Sequence, residues 1–365
     1  MRESRPPWGE GRLAAHRGAA VILLVALGAC ATEAPAVAPA EPLPPLSGAA
    51  CFVREHDGAA TTWRLDLATG ATSELGPGFP AAPDPLGQVV LLVASEETAE
   101  GHRERLCTVS QPPAGGEFVC AALAPAAEFV RNPAWSPDGS FVVFESSAAS
   151  FRDLWRAPRG DGEPTRLTDA PHGSFDPAVS PDGTTLAFVS SREGDLELYT
   201  QPIAGGEAAR RTLAAGDDRA PAWRPDGARL AWLATRGERV SVVTALPDGS
   251  DVAELSPETD GAIAFSWSPD GRRLAVLRSA ATGAELVVVD AVRGLRLAGA
   301  PAVAANAPPA WMPGGDAVLF AAPVEGASRI AALRTEGGAV QVLTSGPGAD
   351  WLPRAAFVRG AGAPL

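Results

Sequence analysis

The sequence predicts an all-β chain folded as a β-propeller, most simply seven four-stranded blades, and three observations carry that expectation. A phrase returns on a fixed beat: PAWSPDG at 133–139, PAVSPDG at 177–183, PAWRPDG at 221–227, FSWSPDG at 265–271 and PAWMPGG at 309–315. Trp135, Val179, Trp223, Trp267 and Trp311 are each separated by 44 residues, the length of a four-stranded propeller unit. The composition, with 46% hydrophobic residues, 39 Gly and 35 Pro, suits many short strands joined by turns around a large core.

Within the unit each element has a physical reason. Pro137, Pro181, Pro225, Pro269 and Pro313 have no N–H to give to a ladder, so each closes a strand. Asp138-Gly139, Asp182-Gly183, Asp226-Gly227 and Asp270-Gly271 follow, a pair that tolerates the positive φ of a tight hairpin. Alternating apolar runs come next: FVVFES, TLAFVSS, RLAWLAT, RLAVLRS and AVLFAA. Leu154, Leu198, Val242, Leu286 and Ile330 keep the same register and open a third strand, and the segments at 165–167, 211–213, 253–255, 295–297 and 341–343 supply a fourth.

The ends of the repeat are irregular. Residues 50–76 give three strands with no preceding copy of the phrase, and 79–128 form a degenerate, longer unit with its extra length near the 105–123 hairpin. Asp350-Trp351-Leu352-Pro353 repeats the W-x-P phrase with no room for a blade behind it. It is expected to complete the blade begun at 50, so that N- and C-terminal strands close the ring in one blade and few edges stay open.

These copies of P-x-W-S-P-D-G, each followed by an apolar strand, resemble the TolB-type propeller repeat of bacterial periplasmic proteins across 48–359. The resemblance implies an envelope protein whose propeller binds a protein or peptide. It is specific for fold and weak for function, because such propellers also serve as enzymes and as appendages of peptidases.

The chain divides into a leader at 1–29, a lipidated Cys30 with an Ala/Pro-rich tether at 30–48, and the propeller at 49–360. Arg2, Arg5, Arg12 and Arg17 precede a short apolar run that ends Leu27-Gly28-Ala29-Cys30. That tetrapeptide resembles the bacterial lipobox, whose Cys receives diacylglycerol; an ordinary secretory peptide with an incidental Cys is the alternative. Ala31 in place of Asp favours the outer membrane in a diderm cell, as the lipoprotein resemblance implies. The tether is expected to stay extended and unpacked.

Charge and motifs narrow the functions. The chain carries −13, and removal of 1–29, with four Arg against two Glu, leaves −15. Nucleic-acid binding leaves a basic footprint that is missing here. There is no nucleophile elbow, zinc-protease helix, C-x-x-C, dinucleotide fingerprint or EF-hand loop. No catalytic residue, metal or cofactor is therefore assigned. The repeated Asp residues read as turn-formers and the Trp residues as packing between blades. For an exported chain the cysteines predict a disulfide between Cys107 and Cys120, with Cys51 left as a buried thiol; pairing of Cys51 with either is the competing arrangement.

The approach to each innermost strand lies near one mouth of the central channel and breaks the uniformity of the repeat. Arg131, Asn132, Phe175, Asp176, Asp217, Asp218 and Arg219 fall there in consecutive units and are the candidate partner-contacting patch; plain surface variation is the alternative. Ile263, Ala264, Ala307 and Pro308 at the equivalent positions offer nothing comparable. The expectation is a monomeric, non-enzymatic envelope scaffold that meets the membrane only through its lipid anchor. The alternative is a propeller enzyme or a binder of sugar or peptide at the channel mouth.

Overall fold

A computed structural model describes residues 46–356, apart from 47, 58, 78, 84–88, 99–100, 111–120, 124–126, 149–151, 256, 282 and 305–306. The leader, Cys30, nearly all of the tether and Cys120 lie outside the described residues. All regular structure among those described is β-strand.

The strands pair into antiparallel four-stranded sheets, as a propeller requires. Six sheets are each made of four consecutive strands. They span 79–122, 130–166, 174–210, 218–254, 262–303 and 310–342, and are called here sheets two to seven. Sheet one is composite: Ala349–Ala356 pairs with Ala49–His56, which continues through Ala59–Asp66 to Thr72–Pro77. Against the expected seven blades the chain has six contiguous ones, and the strand from the C-terminal end joins the sheet begun at 49, as the sequence predicts. Innermost strands touch their neighbours in order, from Phe79–Pro83 and Val130–Trp135 round to Ala310–Trp311 and Ala349–Ala356, and the last meets Phe79–Pro83 again.

The composite sheet is clasped by charge as well as by its ladder. Arg54 sits opposite Asp350 in the register and donates Nε at 2.7 Å and Nη2 at 3.0 Å to the two carboxylate oxygens. Asp350 is fully buried, and the guanidinium also lies over the rings of Phe52 and Trp63 at 5.3 and 4.8 Å. A bidentate pair of this kind fixes register as well as proximity.

The core lies between sheets, in a series of apolar clusters around the ring. Leu91, Leu106, Val142 and Phe144 join sheets two and three; Val143, Leu154, Leu186 and Phe188 join three and four; Leu286, Val288, Val318 and Leu333 join six and seven. Each sheet offers both faces to neighbours, which is why its second strand is apolar at nearly every position. The repeated tryptophans bridge these interfaces with hydrogen bonds as well. Trp223, Trp267 and Trp311 donate Nε1 to the carbonyls of Ala178, Ala222 and Ser266 in the preceding sheet, at 3.0, 3.2 and 3.1 Å.

The Ser-Pro-Asp-Gly turn is more specialised than Asp-Gly alone suggests. Only the glycine takes positive φ, at 70° for Gly139 and 73° for Gly183. The aspartate instead caps the turn: Asp138 Oδ1 accepts from Ser136 Oγ, from Ser140 N and from Ser140 Oγ at 2.7, 3.0 and 2.8 Å. These donors favour the charged carboxylate and hold Asp138 down at about 2. In sheet five Arg224 replaces the serine and clamps Asp226 with two nitrogens at 2.7 and 2.6 Å, with the same lowering to about 2.

One sequence expectation needs adjustment, and two others can be set against the structure. The tether does not run unpacked to 48, because Leu46 is buried against Phe52, Met312 and Leu319. The degenerate unit has longer strands in its central hairpin, Val89–Thr98 and Gly101–Ser110, and also a longer connection from Ser110 to Ala121 than sheet three has from Pro158 to Thr165, so part of its extra length falls in the 105–123 segment as expected. Cys107 is disulfide-bonded while Cys51 is a free buried thiol, pushed up to about 12 by burial, so those two are not paired with each other.

Candidate functional site

The innermost strands of sheets three, four and five carry at their third position a residue followed by proline: Asn132-Pro133, Asp176-Pro177 and Ala220-Pro221. Proline cannot donate to the neighbouring strand, and its ring disfavours the right-handed helical region for the residue before it. The chain answers with a bulge, and the ladder slips between Arg131 and Ala134, between Phe175 and Ala178, and between Arg219 and Ala222. Asn132, Asp176 and Ala220 occupy left-handed backbone, with φ of 48°, 51° and 52°. Short polar side chains accept that conformation readily, whereas alanine is strained there by about 1–3 kcal/mol. Bulges of this kind turn a side chain away from the regular pleat.

The redirected groups staple one sheet to the next. Asn132 Nδ2 donates to Glu145 Oε1 at 2.8 Å and to Asp176 Oδ1 at 3.0 Å. The backbone N–H of Asp176 donates to the same Glu145 oxygen at 2.7 Å, and that of Ala220 to Asp176 Oδ2 at 3.2 Å. Glu145 is fully buried, and Arg152 balances its charge through Nε at 2.6 Å. The relay stops at Ala220, whose methyl group cannot reach a next residue.

Beside this relay is a cavity of about 650 Å³, within the size range of small-ligand and peptide pockets. Its charged side carries Glu104, Arg131, Asn132 and Asp176. Glu104 is buried, accepts the N–H of Val130 at 2.8 Å, is paired with Arg131 and lies 3.7 Å from His102. The opposite side is apolar, with Ile263, Ala264, Phe265, Pro308 and Trp351. Innermost strands from both halves of the ring thus contribute to one chamber.

The sequence-predicted patch divides here. Arg131, Asn132 and Asp176 line the cavity; Phe175, Asp217, Asp218 and Arg219 do not. Phe175 packs toward Val189 and Trp232 with the Arg152 guanidinium 4.9 Å above its ring. Asp217 and Arg219 pair with each other at 2.7 Å on the surface, which lowers the Asp217 pKa. Asp218 is fully buried, accepts from Trp232 Nε1 at 3.0 Å and Arg236 Nη2 at 2.8 Å, and is pushed up by burial. Of the seven residues from 131 to 219, three thus share the cavity lining. Ile263, Ala264 and Pro308, set aside on sequence, form its apolar counterpart. Glu104, Glu145 and Trp351 were missed; an acid inside the otherwise apolar FVVFES strand was the one signal available for Glu145. Among the described residues no group of three or more His, Cys, Asp or Glu side chains is placed to hold a metal ion.

Comparison with known proteins agrees with this architecture. Residues 149–286 match the family of the Tricorn protease N-terminal β-propeller domain. No curated protein matches the chain. Among solved structures, TolB from Acinetobacter baumannii is similar with a TM-score of 0.56 at 17% identity, covering 84% of this chain and 81% of that one. A puromycin hydrolase S511A variant complexed with PGG gives 0.61 at 19% identity, over 82% of this chain and 52% of the hydrolase, so the likeness spans about half of that enzyme. An oligogalacturonate lyase from Vibrio parahaemolyticus gives 0.57 at 12% identity, with 81% and 85% covered. At these identities the likeness is one of fold, and that fold serves enzymes and non-enzymes alike. With its repeated Ser-Pro-Asp-Gly turns and inter-sheet tryptophans, the chain has the TolB-like β-propeller fold.

Proposed function

We propose that the chain is a cell-envelope scaffold whose central cavity receives a protein or peptide segment without chemical turnover. The observation that carries the proposal is the state of the cavity's polar groups. Glu104 is paired with Arg131, and Asn132 is held between two carboxylates, so these side chains are committed to structure. Facing them is an apolar wall with Ile263 exposed, the mixture of anchors and charge found at recognition surfaces.

The proposal extends to the ends of the chain and to the ring. Cys30 carries the lipid, residues 31–45 hold the propeller off the membrane, and the outer membrane is the destination. Diacylglycerol with a further acyl chain supplies the two or more chains that stable attachment requires. The composite sheet acts as a seventh blade, Cys107 pairs with Cys120, and the protein works as a monomer. The test is capture from envelope extract by purified protein, compared between the parent and an Arg131→Ala, Asp176→Ala double variant. Loss of a specific partner supports the scaffold. Turnover of a sugar or peptide substrate by the purified protein replaces it with the enzyme reading.

A further inference from the structure

The charges around the cavity do not cancel. Glu104 is answered by Arg131, and the neighbouring Glu145 by Arg152. Asp176, the remaining acid of the lining, is held by two neutral donors, the Asn132 amide and the Ala220 N–H, and enters no ion pair of the described residues. Neutral donors fix the position of a carboxylate and leave its charge in place. The cavity therefore holds one uncompensated negative charge, only partly exposed, opposite a wall of Ile263, Phe265, Pro308 and Trp351. Inside a partly desolvated chamber such a charge acts more strongly than on an open surface. A ring contact of Trp or Phe with a cation adds to the same preference.

Resting on the reading of this cavity as the ligand site, we infer that its ligand presents an ammonium group on an apolar body. The ammonium sits at Asp176 and the apolar part lies on the wall from Ile263 to Trp351. A carboxylate or phosphate ligand would meet Asp176 with like charge, and Arg131 is already engaged by Glu104.

The experiment titrates phenethylammonium, and separately its uncharged N-acetyl counterpart, into the purified full chain by calorimetry or ligand-observed NMR. The charged probe is expected to bind at least about tenfold more tightly than the acetylated one, the scale of a hydrogen-bonded charge contact. Its binding is expected to weaken as salt is raised. Asp176→Asn should remove most of the preference. Ile263→Arg, which changes a side chain that makes no hydrogen bond and places a cation across the chamber, should weaken the charged probe in a variant whose fold is not at risk. Equal affinity for both probes, or a preference unmoved by salt and by Ile263→Arg, overturns the inference. The two proposals separate cleanly: binding of the charged probe with no partner captured leaves this inference standing, and capture that fails in the double variant without ammonium preference leaves only the scaffold.

Discussion

The side-chain amide of Asn132 donates to the carboxylate of Asp176 at 3.0 Å, across one repeat length of 44 residues. The same repeat position thus makes contact with itself in the next sheet. In a propeller, equivalent positions of adjacent sheets lie side by side near the axis, so a polar residue there can brace its own copy. Asn132→Asp should crowd a new carboxylate between those of Glu145 and Asp176, and a destabilisation of about 1–3 kcal/mol is expected in denaturant unfolding. Asn132→Ser should cost less, because it removes a donor without adding a charge.

The Arg54–Asp350 clasp makes the C-terminal strand part of the fold. Deleting 347–365 should abolish cooperative unfolding, since it exposes the edge of Ala49–His56 and strands Arg54 beside two aromatic rings. Asp350→Ala in the full chain should cost about 3–5 kcal/mol, the scale for breaking a buried pair by removing one partner. A melting curve unchanged by the truncation would contradict the composite sheet.

Trp267 separates packing from hydrogen bonding between sheets. It is 9% exposed and donates to Ala222 O at 3.2 Å. Trp267→Phe keeps most of the contact and loses the donor, for about 1 kcal/mol. Trp267→Ala empties the site, for about 3–5 kcal/mol. Trp223 is only half-buried, and its replacement by Ala should cost less than that of Trp267.

The turn aspartates set the acid limit. Asp138 and Asp226 titrate at about 2 in the fold against about 3.9 in the unfolded chain, so their contribution is present above about pH 4 and is lost as pH falls through 2. Asp218, raised by burial, acts in the opposite sense, since its neutral form is the one the fold prefers. Asp138→Asn should flatten the fall of stability between about pH 4 and 2, followed by circular dichroism against urea. A slope identical to the parent would show that the cap does not carry the effect.

Much of the frame was legible because it repeats. Turn glycines, strand-closing prolines and tryptophans recur at one spacing, and each has a local physical reason. The site was legible only as a region. Asp217 and Asp218 are adjacent in sequence, yet Asp217 lies just before the strand and pairs with Arg219 at the surface, whereas Asp218 opens the strand and is buried against Trp232. The bulge before Pro177 is what turns Asp176 toward the cavity, and a bulge cannot be counted from spacing alone. The apolar half escaped notice because Ile263 and Pro308 break no chemical rule; only closure of the ring brings them opposite Asp176 and Arg131.

If the cavity between Asp176 and Ile263 is where a partner is held, both sides of it must matter to capture. The most direct test is quantitative capture from envelope extract with the parent, Arg131→Ala with Asp176→Ala, and Ile263→Arg, each first shown to melt cooperatively. The expected result is one partner retained by the parent and reduced at least about tenfold in both variants, as for loss of central contacts in an interface. Equal capture by all three folded proteins would place the partner elsewhere and contradict the account.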